Sequence, residues 1–264
     1  MKTLFASFLM LTAGSAAAHS ACNMELAAGL RITDKSIEFY KDDKQAYKIL
    51  EDKYLVVKGS TLKLSQTQQD VVANYAASIR AAVPEVHGMA VDGIDLAIEA
   101  ITITFDSLLG EKNQISAQLA TELSNLKSDV NRYFSSGDAI TFNHGSDGIP
   151  DFLGKHFETR VERIVETSVQ NSIGSIMIAM GKEVLASGGN MEAFEARMNK
   201  FGEQMEVQMN SKAELLETRG EKLCGSMRAV DAGEEQLKKA VPALESFNFI
   251  RVNATNVDIA KSEI

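Results

Sequence analysis

Cys22 and Cys224 are the two cysteines of a 264-residue chain, and they stand near its opposite ends. If joined, they close most of the chain into one loop, so everything between them folds with its ends tethered. Whether they are joined depends on compartment, because thiols stay oxidised outside the cytosol and reduced within it. The first residues speak to that. Lys2, an apolar stretch over 4–11 and the small residues Ala16, Ala17 and Ala18 follow the order of a secretory signal peptide, which assigns 1–18 to it. The apolar stretch is well short of the roughly 20 residues that span a bilayer. His19 stands where a lipoprotein signal would carry an aliphatic residue, so lipidation of Cys22 is disfavoured. An even pair of cysteines in an exported chain reads as one disulfide, Cys22 to Cys224. No C-x-x-C motif suggests redox catalysis instead.

Hydrophobic residues make up 45% and charged residues 24%, which is globular composition and excludes a disordered or collagenous chain. Cleavage after Ala18 removes Lys2 and takes the formal charge from −9 to about −10. An acidic chain disfavours nucleic acid and anionic headgroups as partners, and no transmembrane segment is expected in the mature protein.

Residues 19–65 read as an antiparallel β-meander. Short β-forming runs at 30–33, 37–40, 46–50, 54–57 and 62–64 are separated by plausible turns at Asp34 and Lys35, Asp42 and Asp43, Glu51 and Asp52, and Gly59 and Ser60. From residue 66 the apolar period becomes helical and acidic residues predominate. Residues 66–264 are therefore assigned to a helical region that forms one compact unit with the meander. Ser65 with Gln68 makes a capping box ahead of Val71, Val72, Tyr75, Ile79 and Ala82. Pro84 predicts a break or kink, a second helix runs to 109, and a third extends from 113 to about 134 and ends at Gly137. A short strand is expected over 138–143. A long helix from Pro150 and another from Met191, joined through Ser187, Gly188, Gly189 and Asn190, predict an antiparallel helical hairpin. Beyond Pro242, residues 247–252 alternate like a strand returning to the N-terminal sheet. The fold class is α+β: a small N-terminal meander packed on a mainly helical body.

Taken in order, Cys22, the segment Ile79-Arg80-Ala81-Ala82-Val83-Pro84, the run Ala139-Ile140-Thr141-Phe142, the connection Ser187-Gly188-Gly189-Asn190 and Cys224 give a chain that resembles the YggN-like family of uncharacterised Gram-negative periplasmic proteins. The resemblance spans most of the mature chain and rests on order and spacing. It implies a periplasmic location and this architecture, and it strengthens the pairing of Cys22 with Cys224. It brings no activity and no catalytic residues.

Chemistry-bearing motifs are sparse. His144, Asp147, Asp151 and His156 could hold a divalent metal if the 144–156 loop folded back on itself, but Asp and Asn in such turns more often bond their own backbone. That loop is the basis of one alternative, a metal-dependent hydrolase. Met177 and Met180 are spaced to share Cu(I), the basis of another, a periplasmic copper-binding protein. No G-x-S-x-G and no phosphate loop is present. No catalytic residues are assigned and no cofactor is expected. The unusual feature is a stripe of Met191, Phe194, Met198, Phe201, Met205 and Met209 at three- and four-residue steps. Methionine repacks easily, so the stripe is either irregular core or an adaptable surface for a polypeptide or envelope assembly partner. The functional expectation is a non-enzymatic, chaperone-like protein of the periplasm.

Overall fold

A computed structural model describes residues 22–42, 44–109, 113–142 and 191–254, with Arg163, Ile164, Glu166, Gly174, Met177, Ile178 and Gly181 as isolated helical positions. Eight strands and three long helices are described: β1 Cys22–Leu26, β2 Gly29–Ile32, β3 Ser36–Lys41, β4 Lys44–Leu50, β5 Tyr54–Val57, β6 Ser60–Thr61, α1 Gln66–Leu109, α2 Gln114–Ser135, β7 Ile140–Phe142, α3 Met191–Ala240 and β8 Ile250–Ala254. The fold is α+β, as its sequence implies.

The strands form two antiparallel sheets, one ordered β6-β5-β4-β3-β2-β7 and a separate ribbon of β1 and β8. Tight turns create the meander. Glu51 and Asp52 both adopt positive φ in the three-residue connection between β4 and β5, as do Lys58 and Gly59 in the two-residue connection between β5 and β6, the left-handed geometry that suits the twist of paired strands. Alternation decides the buried face: Tyr47 and Ile49 of β4 point inward with Ile37 and Phe39 of β3, and all four are fully buried. Against this face pack Val72, Tyr75, Ala76 and Ile79 of α1 and Val230 and Leu237 of α3. Phe39 stacks on Tyr47 with ring centroids 4.4 Å apart, and Phe249 joins them at 5.7 and 5.8 Å. Aromatic pairs of this kind add about 0.5–1.5 kcal/mol each beyond their burial.

The capping box at the head of α1 forms as its sequence predicts. Gln68 N–H donates to Ser65 Oγ at 3.3 Å, and Ser65 N–H donates to Gln68 Oε1 at 2.9 Å. The Gln68 amide also donates to the Ala240 carbonyl at 2.7 Å, so one side chain closes the start of α1 and the end of α3. Arg80 clamps the same helix to the meander, binding both oxygens of Asp52 at 2.9 and 3.0 Å and the Thr33 carbonyl at 2.7 Å.

Pro84 does not divide α1, which continues through it for 44 residues. Proline removes one N–H bond and crowds the carbonyl four residues earlier, but here α1 packs on α3 on both sides of the site. Gly233 meets Tyr75 on one side and Lys222 meets Glu85 on the other. Tertiary packing across the proline outweighs the local loss. Pro242 does end α3, where a 3-10 turn follows. The predicted returning strand exists, but it pairs with β1 and not with the six-stranded sheet.

Helix α2 begins at the cap Asn113, whose side chain accepts from Ser116 N–H at 2.8 Å, and runs back along α1. Leu123, Leu126 and Val130 of α2 bury against Ile94 of α1. Of the helical hairpin expected over 150–240, the second helix is α3, and the first lies outside the described residues apart from its isolated helical positions.

Candidate functional site

The ribbon is held to the body by covalent and polar contacts that converge on α3. Cys22 at the start of β1 is disulfide-bonded to Cys224 on α3, across 202 positions of sequence. About three turns further along α3, Glu234 is 1% exposed, and its carboxylate accepts the backbone N–H groups of Phe249 at 3.0 Å and Ile250 at 3.0 Å. Asp231 accepts from Val252 N–H at 3.1 Å. Together these carboxylates cap the outer edge of β8. Burial raises the Glu234 carboxyl above its ordinary range, while the Ile250 and Phe249 hydrogen bonds pull it back. Burial likewise pushes the Tyr47 and Tyr75 hydroxyls well up, reinforced by the nearby Glu234 charge, so both phenols stay protonated.

Between the ribbon and the β2–β7 edge of the larger sheet lies an apolar cavity of about 340 Å³. Its walls are β1, Leu30 and Ile32 of β2, Phe142 of β7, Val83 and Val86 of α1, and Leu223 and Met227 of α3. Tyr133 fixes the β7 wall, because its hydroxyl accepts from Thr141 N–H at 2.6 Å and donates to the Thr141 carbonyl at 2.8 Å. On the far side of the disulfide a second cavity of about 480 Å³ is bordered by Cys22, Met24, Met89, Glu217, Glu221 and Cys224. Cys22, Met24 and Leu223 border both spaces. Volumes of this order suit a few apolar side chains or a short alkyl body.

Past the sheets, α1 and α3 continue side by side as an arm. Their antiparallel register is marked by acids spaced seven apart on α1: Glu85 with Lys222 at 2.8 Å, Asp92 with Arg219, and Glu99 with Lys212 at 3.2 Å. At 1.5 Å per residue the 50-residue α3 is about 75 Å long.

The methionine stripe lies on the first part of α3. Phe201, Met205 and Met209 are half-buried there. Met191, Phe194 and Met198 belong to the same helix, and their side chains lie outside the described residues. Val207 and Leu215 of this stretch are 72% and 48% exposed. The metal candidates His144, Asp147, Asp151 and His156 all lie outside the described residues, as does Met180; Met177 is 68% exposed. Among the described residues no group of three or more His, Cys, Asp or Glu side chains could hold a metal ion. No described helix is long and apolar enough to cross a membrane. His87 serves the arm: its Nε2 lies 2.7 Å from Asn131 Oδ1 and its ring stacks on Phe134.

Sequence reasoning missed Glu234, Asp231 and β1. A signal for the first was present, since Glu234 interrupts the apolar series Val230, Leu237, Val241 at a core-facing step. A charge at such a step needs a buried partner.

Comparison with curated proteins and with solved structures gave no match. A family model described as "Protein of unknown function (DUF2884)" matches residues 22–250, a span that begins at the first cysteine and ends in β8. The chain belongs to that family of unknown function, DUF2884.

Proposed function

We propose that this is an exported protein of the periplasm, not an enzyme, which binds a polypeptide or an envelope assembly partner along the arm. The observation that carries this reading is Val207, a large apolar side chain 72% exposed on α3 beside the half-buried Phe201, Met205 and Met209. In the sheet region the exposed large hydrophobic is Tyr54 at 44%, which carries a polar hydroxyl, whereas Val207 on the arm is wholly apolar. Glu203 and Glu206 flank the stripe and would favour clients that carry basic residues next to apolar ones. Methionine adds a surface that repacks against different side chains. The signal pattern over 1–18, the disulfide and the YggN-like resemblance support the periplasmic location.

The test is aggregation of an unfolded envelope protein in the presence of the mature chain and of its Met205→Glu and Val207→Glu variants. Loss of protection with an unchanged unfolding midpoint supports the arm as the binding surface. Equal protection by all three proteins removes it. Destabilisation of several kcal/mol by Met205→Glu would identify that position as core.

A further inference from the structure

We infer that the apolar cavity between the ribbon and the β2–β7 edge is a lipid site, which takes the single acyl chain of a zwitterionic monoacyl lipid and leaves the headgroup at Glu25 and Arg251. Ligand and place are both separate from the polypeptide surface proposed on the arm.

The space is held open by its walls. Apolar surfaces free to move close on one another, because an unfilled cavity forfeits the contacts of its lining and the cost grows with volume. Here each wall is pinned separately. β1 is bonded through Cys22 to Cys224, Glu234 and Asp231 draw β8 onto α3, and Tyr133 fixes β7 through Thr141. Collapse would break one of these attachments, so about 340 Å³ of space is left for an occupant.

The polarity of the walls selects that occupant. Ile79, Ala82 and Val230 form a buried inner side, whereas the described bordering residues with polar side chains are Asn23, which is exposed, and Glu25. A water needs about two to four polar partners, and a peptide brings an N–H and a C=O with nearly every residue. Neither is satisfied against walls of valine, leucine, isoleucine and methionine side chains. An alkyl chain has no such groups to satisfy. A small heavy-atom group occupies roughly 30 Å³ in a liquid, so the space takes on the order of ten methylenes. At the polar end Glu25 faces Arg251 in the ribbon register and pairs with it at 3.3 Å. Both signs of charge are thus presented with no net charge, which suits a headgroup that also carries both. A bare carboxylate lacks that match and is repelled by a chain of formal charge −9.

The probes are lysophosphatidylcholines of eight, ten, twelve and fourteen carbons, each titrated calorimetrically below its micelle concentration against the mature disulfide-bonded protein. Affinity is expected to rise about fourfold per methylene, as full burial of the chain requires, and to level off once the space is filled. Dodecanoate is expected to bind at least tenfold more weakly than the twelve-carbon phosphocholine lipid. Val83→Phe fills the space from α1 and is expected to weaken that lipid tenfold or more without lowering the unfolding midpoint. A photoreactive diazirine analogue of the same lipid reads the site in the unaltered chain, with labelling expected around Val83 and Met227. Absence of binding, affinity independent of chain length, equal binding of dodecanoate, or labelling confined to residues 201–215 of the arm would each overturn the inference. So would displacement of the lipid by an equal concentration of acetyl-Val-Leu-Val-amide, which would give the space to protein side chains. Met205→Glu is expected to leave lipid affinity unchanged, so failure of the arm and failure of the cavity are read separately.

Discussion

Glu234 on α3 holds the backbone N–H of Ile250 at 3.0 Å from a position almost wholly closed to solvent. A carboxylate there is disfavoured by burial and favoured by the N–H groups it accepts, and burial is the larger effect.

A raised carboxyl pKa in the folded state means that the folded protein binds this proton more tightly than the unfolded chain does. Its contribution is greatest below the ordinary glutamate value of 4.5 and declines as pH rises through the raised value. Subtracting the stability curve of Glu234→Gln from that of the wild type is expected to leave a difference that falls with pH across this window. A difference that rises would show that the hydrogen bonds dominate. Glu234→Ala leaves the Phe249 and Ile250 donors unpaired and is expected to cost about 2–3 kcal/mol by chemical denaturation.

Replacing both cysteines by serine, or reducing the bond, releases a loop of 202 positions. The chain-entropy model puts the loss at about 5 kcal/mol as an upper figure, with about 2–4 kcal/mol the common range. Denaturation midpoints with and without reductant check this, and thiol titration of the unreduced, denatured protein should find no free thiol.

The ion pairs between α1 and α3 predict a register effect more than a stability effect. Arg219 is 46% exposed, and pairs of that kind contribute under about 1 kcal/mol. Asp92→Lys places like charges together and is expected to lower stability by about 1 kcal/mol, and the swap Asp92→Lys with Arg219→Asp should recover most of it. A double-mutant cycle on unfolding free energy reads the coupling.

Maturation is checked by intact mass of the exported protein. A chain beginning at His19 without lipid is expected, and a diacylglycerol adduct on Cys22 would contradict the signal-peptide reading.

Local rules made much of the sheet and the start of α1 legible. The meander follows from alternation and turn residues, α1 from its capping box, and β7 from its short β-forming run, since each signal lies within a few residues of the feature it reports. β1 was missed although Cys22-Asn23-Met24-Glu25-Leu26 alternates apolar and polar residues, because it carries no β-branched or aromatic residue and its pairing partner β8 lies more than 220 positions away in the register. Pro84 misled for the related reason that contacts with α3 override a local breaker. The apolar cavity was invisible too, since its walls come from β1, β2, β7, α1, α3 and Ile250 of β8, which meet only after folding. The stripe on α3 was legible as a pattern, but a pattern does not distinguish cover from exposure.

Pairing of β1 with β8 carries a consequence for the timing of biogenesis. On the proposed export route, threading from the N-terminus would deliver β1 early and β8 late, so β1 would wait unpaired while some 200 residues follow. During that interval the meander can form its hairpins, yet the aromatic cluster lacks Phe249 and the cysteine at position 22 lacks its partner on α3. On that route closure of the ribbon would come late, once β8 and Cys224 have both arrived. The proposed oxidising compartment would then have the Cys22–Cys224 bond to make when most of the chain has already arrived.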